Sequence, residues 1–380
     1  MKHKKILSTD ERKQLVQHYM LTGNYDVINA YGKILLEIAS RIDDEEIEDS
    51  TLKQLLVGLF DSKIKPVSMN LLKPARNEVI AVCALHNSAQ LIEPYVEHYK
   101  SIGVCHFVFI DNNSTDDSIA IMKNLSLPGI SVDVWSVDDR FDSFKAMGWK
   151  QRMFVRYGLD RWYLNLDIDE HFVYSNHEEV QISSITKNAT KLGDKVVGSI
   201  LIDMYPNADI THVQISDTAK LKDVYGFFDK NTYTAVSNQK YNYRIFGGPR
   251  SRTFGRHPSL QKYPLAFVSA DMIAVNPHFW YPYSINQKVQ ISSAMLHYKF
   301  LPGDVDKYRE YVRQGVHWDN SSQYRSYIEG VDNMESVNFF SKEHSFRYVN
   351  SSALKMITVQ SSPVARRSVS AESMKIRDLV

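Results

Sequence analysis

The chain has 380 residues, enough for one large α/β domain with appendages or for two domains. Its 45 Lys and Arg face 44 Asp and Glu, a formal net charge of +1, so no global field attracts nucleic acid and such a partner is not expected. Cys83 and Cys105 make no disulfide framework, no apolar run reaches the roughly 18 residues that span a bilayer, and MKHKKILSTDERKQL lacks an apolar signal core; a cytoplasmic protein with at most peripheral membrane association is expected.

Residues 1–76 read as a helical N-terminal extension. Ser8-Thr9-Asp10-Glu11 has capping-box spacing for a first helix that breaks at Gly23-Asn24, and Asn29 to Ser40 and Thr51 to Phe60 predict two more. The acidic run Asp43-Asp44-Glu45-Glu46 reads as a solvated loop or helix start. Pro74 to Asn77 marks a boundary, after which strands and helices alternate. Glu78 to Leu85 is apolar enough for a strand buried on both faces and stops at His86-Asn87-Ser88. A helix from about Gln90 to Ser101 leads to the strand His106 to Ile110, which ends in Asp111-Asn112-Asn113-Ser114-Thr115-Asp116-Asp117. Ser114 and Asp117 have capping-box spacing for a helix to about Leu125. Ser131 to Trp135 is a third strand and Phe144 to Tyr157 a helix. The alternation predicts an α/β fold with a mixed, mostly parallel sheet flanked by helices over residues 77–303. Within it Val196 to Met204 and Ala270 to Val275 read as strands of a more mixed half. Glu310 to Gly315 and Gln323 to Gly330 predict a C-terminal helical part over 304–359, and the Ser-rich, basic 360–380 a disordered tail.

Between the helix ending at Tyr157 and the mixed half, the apolar run WYLNLDID ends in clustered acid. As a strand it places Leu164, Leu166 and Ile168 on one face and Asn165, Asp167 and Asp169 on the other. Two carboxylates about 7 Å apart on one face call for a cation, and hard divalent ions that also hold phosphates fit that need. The alternative is a pair of solvated loop acids or helix caps. Position favours the former, because ligands of open α/β sheets gather at the carboxyl ends of strands. Asp111 and Asn87 end neighbouring strands, where a carboxylate can accept from a nucleobase N–H or ribose hydroxyls, or else cap a turn.

HNSAQLIEPYVEHYKSIGVCHFVFIDNNSTDDS followed by WYLNLDIDEHFV resembles a family 2-like glycosyltransferase of GT-A, Rossmann-like fold, from the bacterial branch reading roughly RNE, DNNSTD and LDxDEF. Tyr225 to Asp229, Gly247 to Gly255, Lys262 to Leu265 and Ala294 to Phe300 resemble successive blocks, so the likeness covers roughly Glu78 to Gly330. His86-Asn87-Ser88 departs from RNE, and His171 stands where Phe is common. The resemblance implies a metal-assisted, inverting transfer of a sugar from a nucleotide-diphosphate donor to a hydroxyl acceptor, a saccharide or lipid-linked glycan, in polysaccharide assembly. It implies that Asp111 contacts the nucleoside, that Asp167 touches ribose or metal-bound water, and that Asp169 coordinates Mn²⁺ or Mg²⁺. His297 and Lys299 alternate onto one face of HYK, so the imidazole could complete the metal shell and the ammonium neutralise diphosphate. Arg250 and Arg252, after Gly247-Gly248-Pro249, are further phosphate contacts or else solvated arginines of a hairpin loop. For the base, Asp203, Asp229 and Asp271 are candidates, Asp203 first because it closes an apolar strand. His257, His317 and Trp318 are candidates for the acceptor side. The competing functions are a non-catalytic carbohydrate or nucleotide-sugar binding protein of the same fold and an Asp-x-Asp phosphotransferase, which would place Gly-Thr, not Glu170-His171, after its acids.

Overall fold

A computed structural model of the chain describes residues 7–41, 47–70, 74–215, 220–238, 242–315, 318–361 and 374–375. The acidic run at 43–46 and most of the tail lie outside the described residues.

The N-terminal helices are α1 (Thr9–Thr22), α2 (Tyr25–Ser40) and α3 (Asp49–Leu56), the last running on as a π-helical turn over Val57–Asp61. The Ser8/Glu11 capping box forms, and Asn24 caps α2, so that helix starts four residues before the predicted Asn29. One strand was not expected here: β1 (Ile64–Ser68) pairs antiparallel with the strand at Ser131–Val137. The sheet core follows as β2 (Ile80–Leu85), α4 (Ala89–Ser101), β3 (His106–Asp111), α5 (Ser118–Asn124), β4 (Ser131–Val137), α6 (Ser143–Tyr157) and β5 (Arg161–Leu166). Then come β6 (Glu170–Val173), α7 (Ile182–Leu192), β7 (Val196–Met204), α8 (Leu221–Val224), β8 (Phe227–Asp229), β9 (Tyr233–Asn238), β10 (Asn242–Phe246) and α9 (Gly248–Phe254). The chain continues through β11 (Gln261–Val268), β12 (Ile273–Ala274), β13 (Trp280–Tyr281), α10 (Ser284–Gln287), β14 (Ile291–Tyr298), α11 (Asp304–Gln314), α12 (Trp318–Asp332), β15 (Ser345–Arg347) and β16 (Thr358–Ser361).

Nine of the described strands form one sheet in the order β1-β4-β3-β2-β5-β11-β7-β14-β6. The strands β4, β3, β2, β5, β7 and β14 run one way, and β1, β11 and β6 the other. The fold is therefore the mixed, mostly parallel sheet expected. The expected strand at Ala270–Val275 shrinks to the two residues of β12, and the strand that enters the sheet nearby is β11. Pro264 lies within that central strand, which its missing N–H would forbid in a regular ladder; the pairing with β7 shifts register between Lys262 and Leu265.

Alternation along β2 shows what covers each face. Ala81 and Cys83 pack with α4 residues such as Ile92, Tyr95 and Tyr99, whereas Ile80 and Val82 pack with Trp149 and Met153 of α6 and with Leu35, Leu52 and Leu55 of the N-terminal helices. Helices α1 to α3 are thus packed onto the sheet. They share the core of one sheet face, and Pro74 separates no two cores. Contact there is close enough to require glycine: a Cβ on Gly58 would come 2.2 Å from the Lys145 carbonyl oxygen, and one on Gly148 2.6 Å from the backbone of Gly58. The C-terminal region also differs from expectation. Gln360 and Ser361, placed in the tail, belong to β16, which lies parallel to β9. The rest of 304–359 is only partly helical.

Candidate functional site

The strands β2, β3 and β5 end together at Leu85, Asp111 and Leu166, and a cavity of about 430 Å³ opens at their carboxyl ends. Helices α11 and α12 roof it with Tyr308, Tyr311 and Tyr324.

The acidic motif does not continue the strand. Extended structure stops at Leu166, and Glu170 N–H donates to the Asp167 carbonyl at 3.2 Å, so Asp167 to Glu170 is a turn into β6. The two carboxylates consequently separate. Asp167 is held by Lys150 of α6 at 3.4 Å and Lys262 of β11 at 2.9 Å, and Lys262 also grips Glu170 at 2.5 and 2.7 Å. Asp169 faces Lys299 at 3.1 Å and His297 Nε2 at 3.3 Å. Both residues line the cavity. Burial alone would raise both carboxyls, but the lysines beside Asp167, and Lys299 and His297 beside Asp169, hold them below the usual carboxylate range. For Glu170 burial wins over Lys262 and its affinity for protons is raised.

Sheet register fixes His297. On β14 it stands opposite Glu170 of β6 on one side and Asp203 of β7 on the other. Its Nδ1 meets Asp203 Oδ1 at 2.6 Å, and Asp203 Oδ2 accepts from Arg250 Nε at 2.7 Å, which in turn donates through Nη1 to the Tyr327 hydroxyl at 3.1 Å. Asp203 is 4% exposed with both oxygens bound, and although burial opposes it, Arg250 and His297 pull its pKa down to about 2. It is therefore not a base for an incoming hydroxyl. Its place in the chain is that of the carboxylate behind a histidine.

Asp169, Glu170 and His297 offer ligand atoms all within 4.8 Å of one another. Carboxylate oxygens with one imidazole nitrogen suit a hard or borderline divalent ion, and a carboxylate behind the imidazole is the usual support of a ligating histidine. The donor set fits Mn²⁺ or Mg²⁺. It differs from the expected one in that Glu170 joins and Asp167, turned to its two lysines, does not.

The other expected residues lie elsewhere. Asn87, at φ 45°, accepts from Thr115 N–H at 2.7 Å, and Asp111, 1% exposed, accepts from Ser114 N–H at 3.1 Å; neither lines the cavity. Ser114 Oγ accepts from Asn87 N–H at 2.9 Å instead of capping α5, and Asp116 accepts from Ser118 N–H at 3.0 Å, so the predicted capping box with Asp117 does not form. The groups that do face the cavity from these loops are His86, Ser88, Asn112 and Asn113. Gly247-Gly248-Pro249 starts a helix rather than a hairpin loop. Arg250 is buried against Asp203, and Arg252 pairs with Asp229 at 3.0 Å and with the Phe339 carbonyl at 2.6 Å, so neither arginine lines the cavity as a phosphate contact would. Asp229, fully buried under Arg252 and Tyr205, and Asp271, held by Lys195 at 2.7 Å, are not bases of this cavity either. His257 lines a separate hollow beside Phe246 and Gly247, His317 is outside the described residues, and Trp318 opens α12.

Sequence reasoning missed Lys150, Lys262 and the roof. A signal existed for the first: Lys150 falls on the buried stripe of α6 with Met147, Met153 and Phe154, where a lysine is anomalous without an acid to meet.

No protein-family model matches the chain, and no curated protein matches it. Among solved structures it is similar to S. aureus TarS at 10% identity and a TM-score of 0.30, over 67% of this chain and 43% of that one. It is similar to the UTP-bound UGPase of Acinetobacter baumannii at 11% and 0.25, over 71% and 88%, and to a UDP-glucose pyrophosphorylase complexed with UDP-glucose at 7% and 0.27, over 66% and 87%. Likeness at this level concerns partial architecture and says nothing of the reaction.

Proposed function

We propose that the chain is a glycosyltransferase that moves a sugar from a nucleotide-diphosphate donor to a hydroxyl of a saccharide or lipid-linked acceptor, with inversion. The observation that carries this reading is the strand-end cavity in which Asp169 stands beside a histidine already oriented by a buried carboxylate. Asp203 accepts a hydrogen bond from His297 Nδ1–H and so leaves Nε2 directed at Asp169. A divalent ion would be held by Asp169, His297 and Glu170, and when bound it supplies charge compensation for a departing diphosphate. The nucleoside fits the wall formed by His86, Asn112 and Phe141, and the tyrosines of the roof offer flat faces for sugar rings.

The base is reassigned to Asp304. Among the cavity's carboxylates Asp139 and Asp167 are tied to lysines, whereas Asp304, in the first turn of α11, is raised by burial and has only Leu301 N–H at 2.9 Å and the Tyr308 hydroxyl at 3.3 Å on Oδ2. A carboxylate with raised pKa is the better proton acceptor.

The test is release of sugar from a panel of nucleotide sugars with Mn²⁺, with Mg²⁺ and in chelator. Metal-dependent hydrolysis supports the reading; full activity in chelator ends the metal part. Tight nucleotide-sugar binding without turnover, with any acceptor, makes the chain a binding protein.

A further inference from the structure

Four cationic side chains line the cavity, and they are not equivalent. Lys150 and Lys299 each already hold an aspartate, at 3.4 and 3.1 Å. Arg140 is exposed at the rim and donates to the Gln314 carbonyl at 2.5 Å, so water compensates its charge. Lys307, one turn into α11, is half-buried, and among the described residues no carboxylate comes within ion-pairing distance of it; its hydrogen bond goes to the neutral carbonyl of Asn87, at 2.9 Å. An ammonium has three donors, so two remain for the cavity. Its charged surroundings, further out, are Asp304, Asp169, Lys299 and Asp116, which sets it on the same side as the acid of the candidate ion site. The ring of Tyr311, 5.9 Å from the ammonium, flanks it.

A partly desolvated ammonium whose hydrogen bond goes to a neutral carbonyl, with its carboxylates beyond ion-pairing distance, is undercompensated, and an anion arriving in the cavity reduces that cost. We infer that Lys307, rather than the Lys299 expected to do so, is the residue that grips the diphosphate of the donor; this rests on the nucleotide-sugar reading of the same cavity. Lys299 is engaged by Asp169 at 3.1 Å and would have to give up that ion pair to reach a phosphate. Lys307 can take phosphate oxygens with its two remaining N–H groups while keeping Asn87. Because Asn87 belongs to the loop after β2, the same side chain then joins donor, roof and strand end.

The test compares nucleosides with their diphosphates: uridine, UDP, guanosine and GDP are titrated calorimetrically into wild type and Lys307→Gln with Mn²⁺ present. The wild type is expected to bind at least one diphosphate more tightly than its nucleoside. In the variant that diphosphate should weaken roughly tenfold to a hundredfold, the range of a lost charge-assisted hydrogen bond, with nucleoside affinity unchanged. Should the amide variant fail to fold, Lys307→Met keeps the apolar stem against Tyr311 and is read the same way. Unchanged diphosphate affinity overturns the inference and leaves the function standing. An equal fall for nucleoside and diphosphate also overturns it, since it marks a structural role. If the wild type binds none of the four, the inference and the function fall together.

Discussion

The loops after β2 and β3 and the turn after β5 end neighbouring parallel strands, yet they present opposite chemistry. In the first region Asn87, Ser114 and Asp116 accept from loop backbone N–H groups of Thr115, Asn87 and Ser118, and buried Asp111 accepts from Ser114 N–H through Oδ2 while its Oδ1 has no partner among the described residues. In the second, each acid is paired with cations brought from distant strands and helices, Lys150, Lys262, His297 and Lys299. Position at a strand end alone thus does not decide which polar groups face the cavity. The acids that do face it are those to which other elements bring countercharges.

The largest effect should come from testing the two aspartates of the acidic turn against each other. Asp169→Asn is expected to lower metal-dependent turnover by at least about a thousandfold, and Asp167→Asn far less, because Asp167 is bound by lysines and stands outside the group of possible ion ligands. Equal losses in steady-state assays would erase the distinction drawn between them. Next is Arg250→Met, which leaves Asp203 as a buried charge with only His297; unfolding in urea should show a loss of about 3–5 kcal/mol, and an unchanged midpoint would mean that Asp203 is not charged.

Acid should single out the same pair more gently. Asp203 has its pKa lowered to about 2 in the folded chain, against roughly 3.9 when unfolded. Its contribution is therefore complete above pH 4 and lost as pH falls through about 2, roughly 2 kcal/mol in all. Between pH 4 and 2 the stability of Asp203→Asn should fall less steeply than that of the wild type; parallel slopes would contradict the pairing. The smallest change is expected in the first region. Asn87→Ala should cost about 1 kcal/mol of stability through its lost bonds to Thr115 while leaving nucleoside affinity within twofold, and a larger binding defect would return the residue to the site.

The sheet core was legible in the sequence because strands buried on both faces and amphipathic helices carry their own pattern. Ile80–Leu85, His106–Asp111 and Val196–Met204 lie within a few residues of their predicted ends. Asp169 and His297, which the fold brings to 3.3 Å from each other, could be picked out because acids and a histidine at the ends of apolar runs stand out locally. The partnership of Asp203 with His297 was not, since it depends on the register of two strands 94 residues apart. The same blindness made Arg250 and Arg252 read as phosphate ligands: an arginine's partner is invisible until Asp203 and Asp229 are placed beside it. β1 was missed because its pattern, IKPVS, is short, half-exposed and interrupted by Pro66, as an edge strand can be.

The insertion of Gln261–Val268 between Arg161–Leu166 and Val196–Met204 carries a consequence for synthesis. Until residue 268 has left the ribosome, the first half of the sheet has an open edge at Arg161–Leu166, and the helices at the N-terminus wait for Trp280 and Tyr281 to finish the core they share. Such long-range pairing makes folding slow and leaves apolar surface uncovered in the nascent chain. Pausing translation between residues 170 and 260 should therefore yield a chaperone-bound, protease-sensitive chain, and release past residue 300 should convert it to a protected one.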